Sequence, residues 1–436
     1  MLGYHVTKGA ASKSKKRLRT SAAVQAYHKK YFLKAHDRVK QGEPFVFAGV
    51  STPHEILEAM NIPYVVSPWW AAINVSKRLT GYYMDMVDKE RIEKGYDLLG
   101  QCSRCGGNVA WARLADKNPM QQAYGGLPKL TAIIESEPPC LGTAKATEIQ
   151  IREYRQRGFD VPIFIMERAA PPPYHPDEYR WWEKIVDHWD EVIKPHRLDY
   201  RVEELKALIK FLEVTTGRTF SQDRLIEVME LENEQEMWWR KARDLIAETS
   251  PAPIDLVDQL AQYPSQWHRG STEARDLAKL FYKEVKERVD QGKAAYPEEK
   301  LRLQWLTGGN FGNTAFYQYF ADKYKAVFVC SVYLSISADG YPRSLLGDPL
   351  RALAGRHILL GLYTGPEWDL KEARLHRVNG ALVFDYDCPL RVNYGRVMYK
   401  QAYEAAGIPL FEIPRSWNAE KQKTEISKWI ETHLID

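Results

Sequence analysis

Apolar runs of strand length occur along this chain in two groups, separated by a long segment that has none. The first group is FVFAGV (45–50), IPYVVS (62–67), LTAIIES (130–136) and VPIFIME (161–167). The second is LRLQWL (301–306), AVFVCSVY (326–333), ALVFDYDC (381–388) and PLFEI (409–413). Helix-length segments lie between the runs, such as STPHEILEAMN after the first and residues 143–158 after the third. Strands alternating with helices form parallel sheets, because a parallel connection needs a crossover of about a dozen residues or more. Eight such runs in 436 residues also exceed what one hydrophobic core usually serves.

The first group stops at AAPPPYHP (169–176), whose prolines prevent both ladder and helix. Residues 177–292 then read as charged, Trp-rich helices, as in EYRWWEKIVDHWDEVI and EQEMWWRKARDLIAE, broken at SPAPIDL (250–256). Tryptophans at helical spacing act as packing anchors more often than as cofactor contacts. Ahead of the first strand, AAVQAYHKKYFLKAHDRVKQG has the period of an amphipathic helix ended by Gly42. The expected fold is α/β: two parallel-sheet, Rossmann-like domains with a helical insert between them and a helical N-terminal arm. The expected boundaries are 1–44 for the basic arm and helix, 45–170 for the first α/β domain, 171–295 for the insert and 296–436 for the second α/β domain. Two α/β units joined in this way should leave a cleft between them, although the two halves show no sequence repeat strong enough to call a duplication.

Composition removes several function classes. The longest apolar stretch, AVFVCSVYLSI, is about half of what a membrane span requires. The N-terminal stretch MLGYHVTKGAASKSKKRLRT has no apolar signal-type core. Five cysteines, an odd number, fit a reducing compartment, so a cytoplasmic location is expected. The net charge of +4 conceals an asymmetry: residues 1–40 hold eleven Lys/Arg and one acid, leaving −6 for the rest. The run KSKKRLR (13–19) has no nucleic-acid-binding motif beside it, so an arm lying on a neighbouring subunit is the expected reading.

Chemistry-bearing residues gather at the ends of the strand-like runs. Cys102 and Cys105 form a C-x-x-C in GQCSRCGGN, Cys140 follows the third run in ESEPPCLGT, and Cys388 ends the seventh in FDYDCPLR. In an open α/β sheet those places border the crevice where ligands bind. Structural zinc needs a second close pair of Cys or His, which Cys140 and Cys388 lack. An iron–sulfur cluster accepts ligands from separate loops, and three thiolates would leave one iron open. Spacing alone leaves a cluster, buried structural cysteines, and zinc or thiol redox all open. Cys330, inside AVFVCSVY, reads as a small core hydrophobe. No G-x-x-x-x-G-K-[ST] occurs, and Gly308-Gly309-Asn310-Phe311-Gly312 does not fit G-x-G-x-x-G, so no ATP site is expected on this chain. His54 and Glu55 open the helix after the first strand and suit anion contact or proton transfer. The plainer reading there is capping by Ser51, Thr52 and Glu55. Trp69 and Trp70 follow the second strand, where they could wall a flat substrate or belong to the core. Asn310, in the glycine turn after the fifth strand, is a further substrate-binding candidate.

The order of VSTPHEILEAMNIPYVV, GQCSRCGGNVAWARL, ESEPPCLGTAKATEIQI and GALVFDYDCPLR resembles the 2-hydroxyacyl-CoA dehydratase superfamily over residues 45–436. That superfamily includes the cluster-bearing subunits of ATP-dependent benzoyl-CoA reductase. The chain length, the Trp-rich insert and QCSRCGGNVAWARLADKNPMQQAYGGLPK are most similar to the reductase B subunit. The resemblance implies two α/β domains around a [4Fe–4S] cluster held by three cysteines. Cys140 would be the second ligand and Cys388 the third. Cys102 matches the family's Cys-Ser pair at the first ligand, whereas the interval to Cys140 suits Cys105, and all four could ligate. Leu141-Gly142 stand where the dehydratases are expected to carry an acidic residue, which points to the reductase branch.

The implied function is delivery of single low-potential electrons to the thioester-activated ring of an aromatic acyl-CoA such as benzoyl-CoA, giving a cyclic dienoyl-CoA. The implied partners are a homologous second cluster-bearing subunit and an ATP-hydrolysing iron–sulfur activator, with no nucleic acid and no membrane. The alternatives are a 2-hydroxyacyl-CoA dehydratase subunit, or a non-catalytic electron-transfer or scaffold subunit of such a complex.

Overall fold

The amphipathic segment ahead of the first strand is helical over Arg19–Lys40 (α1) and buries Val24, His28, Phe32 and Ala35, one stripe at steps of three to four. Gly42, at φ +88°, takes the left-handed conformation that ends it. The structure is a computed structural model and describes residues 16–77, 79, 123–136, 141–167, 189–306, 309–338, 342–360, 366–385, 396–414 and 417–435.

The first sheet region comprises β1 (Val46–Ala48), α2 (His54–Ala59), β2 (Tyr64–Val66), α3 (Ser67–Ser76), β3 (Ala132–Ser136), α4 (Leu141–Gln156) and β4 (Ile163–Met166). Its strands are all parallel in the order β2-β1-β3-β4. Every residue of β1 and β2 is buried, as expected of parallel strands covered on both faces. Ser67-Pro68-Trp69-Trp70 begins α3 directly after β2, with Pro68 in the first turn, where its missing N–H costs nothing.

Next come α5 (Trp189–Val192), α6 (Pro195–Thr216), α7 (Gln222–Glu248), α8 (Leu256–Trp267) and α9 (Thr272–Asp290). Three of these helices are capped by side chains that accept first-turn N–H groups: Ser221 from Arg224, Asp255 from Val257 and Asp258, and Ser271 from Ala274. The helices are shared among different cores. Leu205, Leu208 and Leu212 of α6 pack with the first sheet. Leu256, Val257 and Leu260 of α8 pack with the second sheet. Trp239 and Ile246 of α7 meet Phe281 and Val285 of α9 in a core of their own.

The second sheet region runs β5 (Leu301–Trp305), α10 (Ala315–Tyr324), β6 (Ala326–Ser331), α11 (Val332–Ala338), α12 (Pro349–Leu359), α13 (Pro366–Leu375), β7 (Gly380–Asp385), α14 (Arg396–Ala405), β8 (Leu410–Pro414) and α15 (Ala419–His433). These strands too are all parallel, in the order β6-β5-β7-β8. Both sheets therefore have the order second-first-third-fourth, a likeness that the sequence did not reveal. In each, the chain reverses direction across the sheet between the first and third strands, the switch point beside which open α/β sheets bind ligands. The crossover from β6 to β7 also reaches into the other half: Ala352, Leu353 and Ala354 of α12 belong to the first sheet's core. No helix among the described residues is long and apolar enough to cross a membrane.

Gly270 shows how closely these parts approach. Its φ is +77°, and a Cβ there would lie 2.6 Å from Val228 Cγ1 and 3.1 Å from Glu232 Oε1. Gly270→Ala should lower stability by about 1–3 kcal/mol through overpacking, beyond the backbone strain. Gly158→Ala, at the same φ with nothing within 4 Å, should show the strain alone. Urea unfolding of the two variants checks this, and equal losses would contradict the packing argument.

Candidate functional site

Helix α2 starts six residues beyond the carboxyl end of β1, and its first two residues are the candidates His54 and Glu55. Its N-cap is Pro53, with no side-chain cap bond, so the capping reading for Ser51, Thr52 and Glu55 does not hold. Glu55 points instead into a buried group of charges. Its Oε1 accepts from Arg343 Nε at 2.9 Å and from Nη2 at 2.8 Å, and Arg356 Nη1 lies at 3.5 Å. Burial works against the charge, but Arg343 and then Arg356 outweigh it and hold the Glu55 carboxyl well below its usual range. His54 stacks against Tyr64 with ring centroids 5.5 Å apart, and burial pushes its imidazole down to about 3. His54 is thus a neutral ring, and its buried Nε2 has no hydrogen-bond partner among the described residues. The pair combines a fixed carboxylate with a neutral imidazole. Neither is poised to donate a proton near neutrality.

Trp69 and Trp70 are both fully buried. Trp69 packs against His28 at 5.4 Å and Tyr31 at 5.3 Å, and both tryptophans lie 5.3 Å from Phe32 of α1. The structure places them in the core between α1 and the first sheet, the second of the two readings open for them. Asn310 is half-buried on the loop after β5, where its N–H donates to Tyr317 Oη at 2.8 Å. Beside it, Gly309 N–H donates to Tyr333 Oη at 2.8 Å, and a Cβ on Gly309 would meet Leu260 Cδ2 at 2.5 Å. That glycine serves a close packing contact. A Cβ on Gly312 would lie 3.7 Å from Val75 Cγ1 of α3, so the loop after β5 lies against the first half of the molecule.

Cys102, Cys105, Cys140 and Cys388 lie outside the described residues. Their described neighbours in sequence are informative. The third strand of the first sheet ends at Ser136, and Cys140 is peptide-bonded to Leu141, the first residue of α4. The third strand of the second sheet ends at Asp385, three residues before Cys388. Each cysteine thus follows the strand that borders its sheet's switch point.

Cys330 is buried in the core of the second sheet, and burial pushes its thiol well up. With Glu372 and His376 it forms the one group among the described residues whose donor atoms could hold a metal ion, all within 4.8 Å of one another. Cations already occupy that place. Arg243 Nη1 lies 2.6 Å and Lys371 Nζ 3.2 Å from Glu372 Oε1, so an added metal ion would meet two positive charges.

Two arginines in the described part of the basic arm are satisfied within their own chain. Arg17 Nη1 pairs with Asp255 at 2.9 Å and Asp258 at 3.3 Å, while Arg19 meets Glu284 and Glu287. Docking onto a neighbouring subunit is not what these two arginines do. Sequence reading also missed Arg343, Glu232 and Glu236. The signal was present, because 225, 228, 229, 232, 236 and 239 form one helical stripe on α7, apolar except where those two glutamates interrupt it.

The fold is that of an α/β protein with two all-parallel, four-stranded sheets of the same strand order. The family model for the 2-hydroxyglutaryl-CoA dehydratase D-component matches residues 50–431, and the chain belongs to that family. Among curated relatives, the (R)-2-hydroxyisocaproyl-CoA dehydratase alpha subunit of Clostridioides difficile is 31% identical over 118 residues, 26% of this chain and 28% of that protein. The (R)-phenyllactyl-CoA dehydratase alpha subunit of Clostridium sporogenes is 30% identical over 141 residues, 28% of this chain and 34% of that protein. The (R)-2-hydroxyglutaryl-CoA dehydratase subunit alpha of Acidaminococcus fermentans is 22% identical over 260 residues, 56% of this chain and 52% of that protein. The chain thus spans about half the length of these relatives at most. The superfamily inferred from motif order is the right one, and the relatives favour its dehydratase branch over the reductase branch.

Proposed function

We propose that this chain is an alpha-type subunit of a 2-hydroxyacyl-CoA dehydratase, working with a second subunit and an ATP-hydrolysing activator. In this reading a [4Fe–4S] cluster is held by Cys140, Cys388 and one or both of Cys102 and Cys105. The observation that supports it is one of sequence position: in two sheets of identical strand order, Cys140 and Cys388 each come shortly after the end of the third strand, the strand that borders the switch point. A donor set made only of thiolates from separate loops suits a cluster, since structural zinc favours paired ligands. When bound, the group supplies Lewis acidity and a single low-potential electron.

The reaction is redox-neutral overall: the 2-hydroxyacyl-CoA loses its hydroxyl and a neighbouring proton as water and becomes an enoyl-CoA. His54, as a neutral imidazole, offers a hydrogen bond near the end of β1, and Glu55 keeps a fixed negative charge beside it. Closed packing around them limits water, which a strong reductant would otherwise reduce.

The reductase reading stays as the second proposal because of one observation, Leu141-Gly142 directly after Cys140. There the substrate would be an aromatic acyl-CoA and the product a cyclic dienoyl-CoA. Mass spectrometry of the acyl-CoA product separates the two: loss of one water for the dehydratase, gain of two hydrogens for the reductase. A non-catalytic electron-transfer subunit would give neither product and would use all four cysteines.

Iron content tests the shared premise without any assay of activity. Anaerobically prepared protein should be brown with about four irons per chain. Cys140→Ala and Cys388→Ala should each lose most of that iron while keeping the helical content of the parent. Iron-free, colourless protein from anaerobic preparation would sink both readings.

A further inference from the structure

Three parts of the chain converge on one guanidinium. Arg343 lies in the link between α11 and α12, on the crossover of the second sheet. Its Nε and Nη2 donate to Glu55 at the start of α2, on the first sheet. Its Nη1 donates to Glu236 of α7 at 2.7 Å, and its Nη2 also pairs with Glu232 of α7. Arg269 adds a 2.7 Å bond to Glu236, Arg356 lies 3.5 Å from Glu55 and 3.8 Å from Glu236, and His357 Nε2 lies 3.9 Å from Glu55 Oε2. Three carboxyl groups thus face three guanidiniums, and the side chains of Arg343 and all three glutamates are 1% exposed or less.

We propose that Arg343 is a latch that couples the two sheet regions, fixing the start of α2 at the carboxyl end of β1 to the β6–β7 crossover. Two observations and one physical argument carry this. The link between Arg343 and α12 has no apolar anchorage over residues 345–348, where Leu345 is 49% and Leu346 70% exposed. Its hold on the protein is polar and doubled: Asn233 Nδ2 donates to the Arg343 carbonyl and Arg343 N–H donates to Asn233 Oδ1, both at 2.8 Å. Buried charges of this kind are tolerable only while all partners are in place, so the group is held or released as a unit. That cooperativity is what separates a latch from a set of independent contacts. The proposal concerns the fold and does not depend on which acyl-CoA reaction the chain serves, so its failure and that reading's failure are distinguishable.

Hydrogen exchange read by mass spectrometry, on the full chain, tests it. Arg343→Gln should raise exchange about tenfold or more in three places together: residues 54–59, the middle of α7 around 232–236, and residues 342–348. The amides of β5, β7 and α15 should stay as protected as in the parent. If Arg343→Gln does not fold, Arg343→Lys is read in the same way, because one ammonium cannot fork to three carboxylates. Asn233→Ala should loosen residues 342–348 and, through Arg343, residues 54–59 as well. An increase confined to 342–348, or one spread evenly over the whole chain, would overturn the proposal.

Discussion

Arg243→Met is expected to destabilise the protein by about 3–5 kcal/mol, the loss typical of breaking one side of a buried ion pair. The Arg243 side chain is 1% exposed and donates to Glu372 Oε1 at 2.6 Å, while the Glu372 side chain is fully buried. Removing the guanidinium leaves a carboxylate beside Asp369 and the Cys330 thiol, with Lys371 as a remaining cation. Arg243→Met combined with Glu372→Leu should recover most of the loss, because replacing both charges by apolar groups removes the desolvation cost that a lone charge retains. The urea transition that reports on the second sheet is the measurement. A loss under about 1 kcal/mol for the single variant would mean that the remaining partners of Glu372, Lys371 and His376 among them, satisfy it.

Above the ordinary histidine value of 6.5, stability should fall as pH rises towards mildly alkaline, with Asp369 and Glu232 contributing to the slope alongside Asp258. Below it the buried, neutral His28, His54 and His357 work in the opposite sense. Burial pushes Asp369 up to about 7, against a 2.5 Å hydrogen bond donated by Tyr399 and reinforced by nearby Glu372. Glu232 is pushed up to about 8, first by burial; Arg343 opposes the shift, nearby Glu55 adds to it, and Arg356 and Arg269 oppose it in turn. A carboxyl whose folded pKa is raised binds its proton more tightly in the native than in the unfolded state. Its contribution is complete below the ordinary carboxyl value and is lost as pH climbs through the folded one. The window runs from 3.8 to about 7 for Asp369 and from 4.5 to about 8 for Glu232. Within its window each group contributes at most about 1.4 kcal/mol per pH unit. Glu55 works in the opposite sense, adding stability above 4.5 that is lost as pH falls. Asp369→Asn and Glu232→Gln should therefore each remove a downward contribution from the curve of urea midpoint against pH, in its own window. Variants whose slopes match the parent would refute the assignment.

Much of this architecture was legible in the sequence because strand position is written in short apolar runs. IPYVVS, AVFVCSVY and PLFEI each contain a strand, found within two residues of its predicted limits. Two helices were not legible. VYLSISA begins a helix directly after a strand without the turn residues that usually mark such a change, and SPWW does so with only Ser67 and Pro68 to signal it. The cysteine order was legible as a pattern, and with the flanking motifs it pointed to the superfamily that the family model then matched. The branch was not: Leu141-Gly142 argued for the reductase, while the curated relatives are dehydratase subunits.

Buried charge was the least legible feature. Glu232, Glu236 and Glu372 look like ordinary surface residues of charged helices until their partners are known. Those partners are Arg343, more than a hundred positions away from Glu232 and Glu236, and Arg243, 129 positions away from Glu372. Local sequence records which face of a helix is apolar, but not which distant cation neutralises a carboxylate on that face.

By itself the sequence determined the strand and helix alternation, the polar character of the helical stretch and the thiols that follow two third strands, while the proline break at 169–176 lies outside the described residues. These depend on short-range periodicity and on residue chemistry. Tertiary structure alone decided that both sheets share one strand order, that α12 packs into the other half's core and that Arg343 joins three segments. Those features depend on which distant surfaces exclude water together, and burial is a property of the assembled chain rather than of any stretch within it.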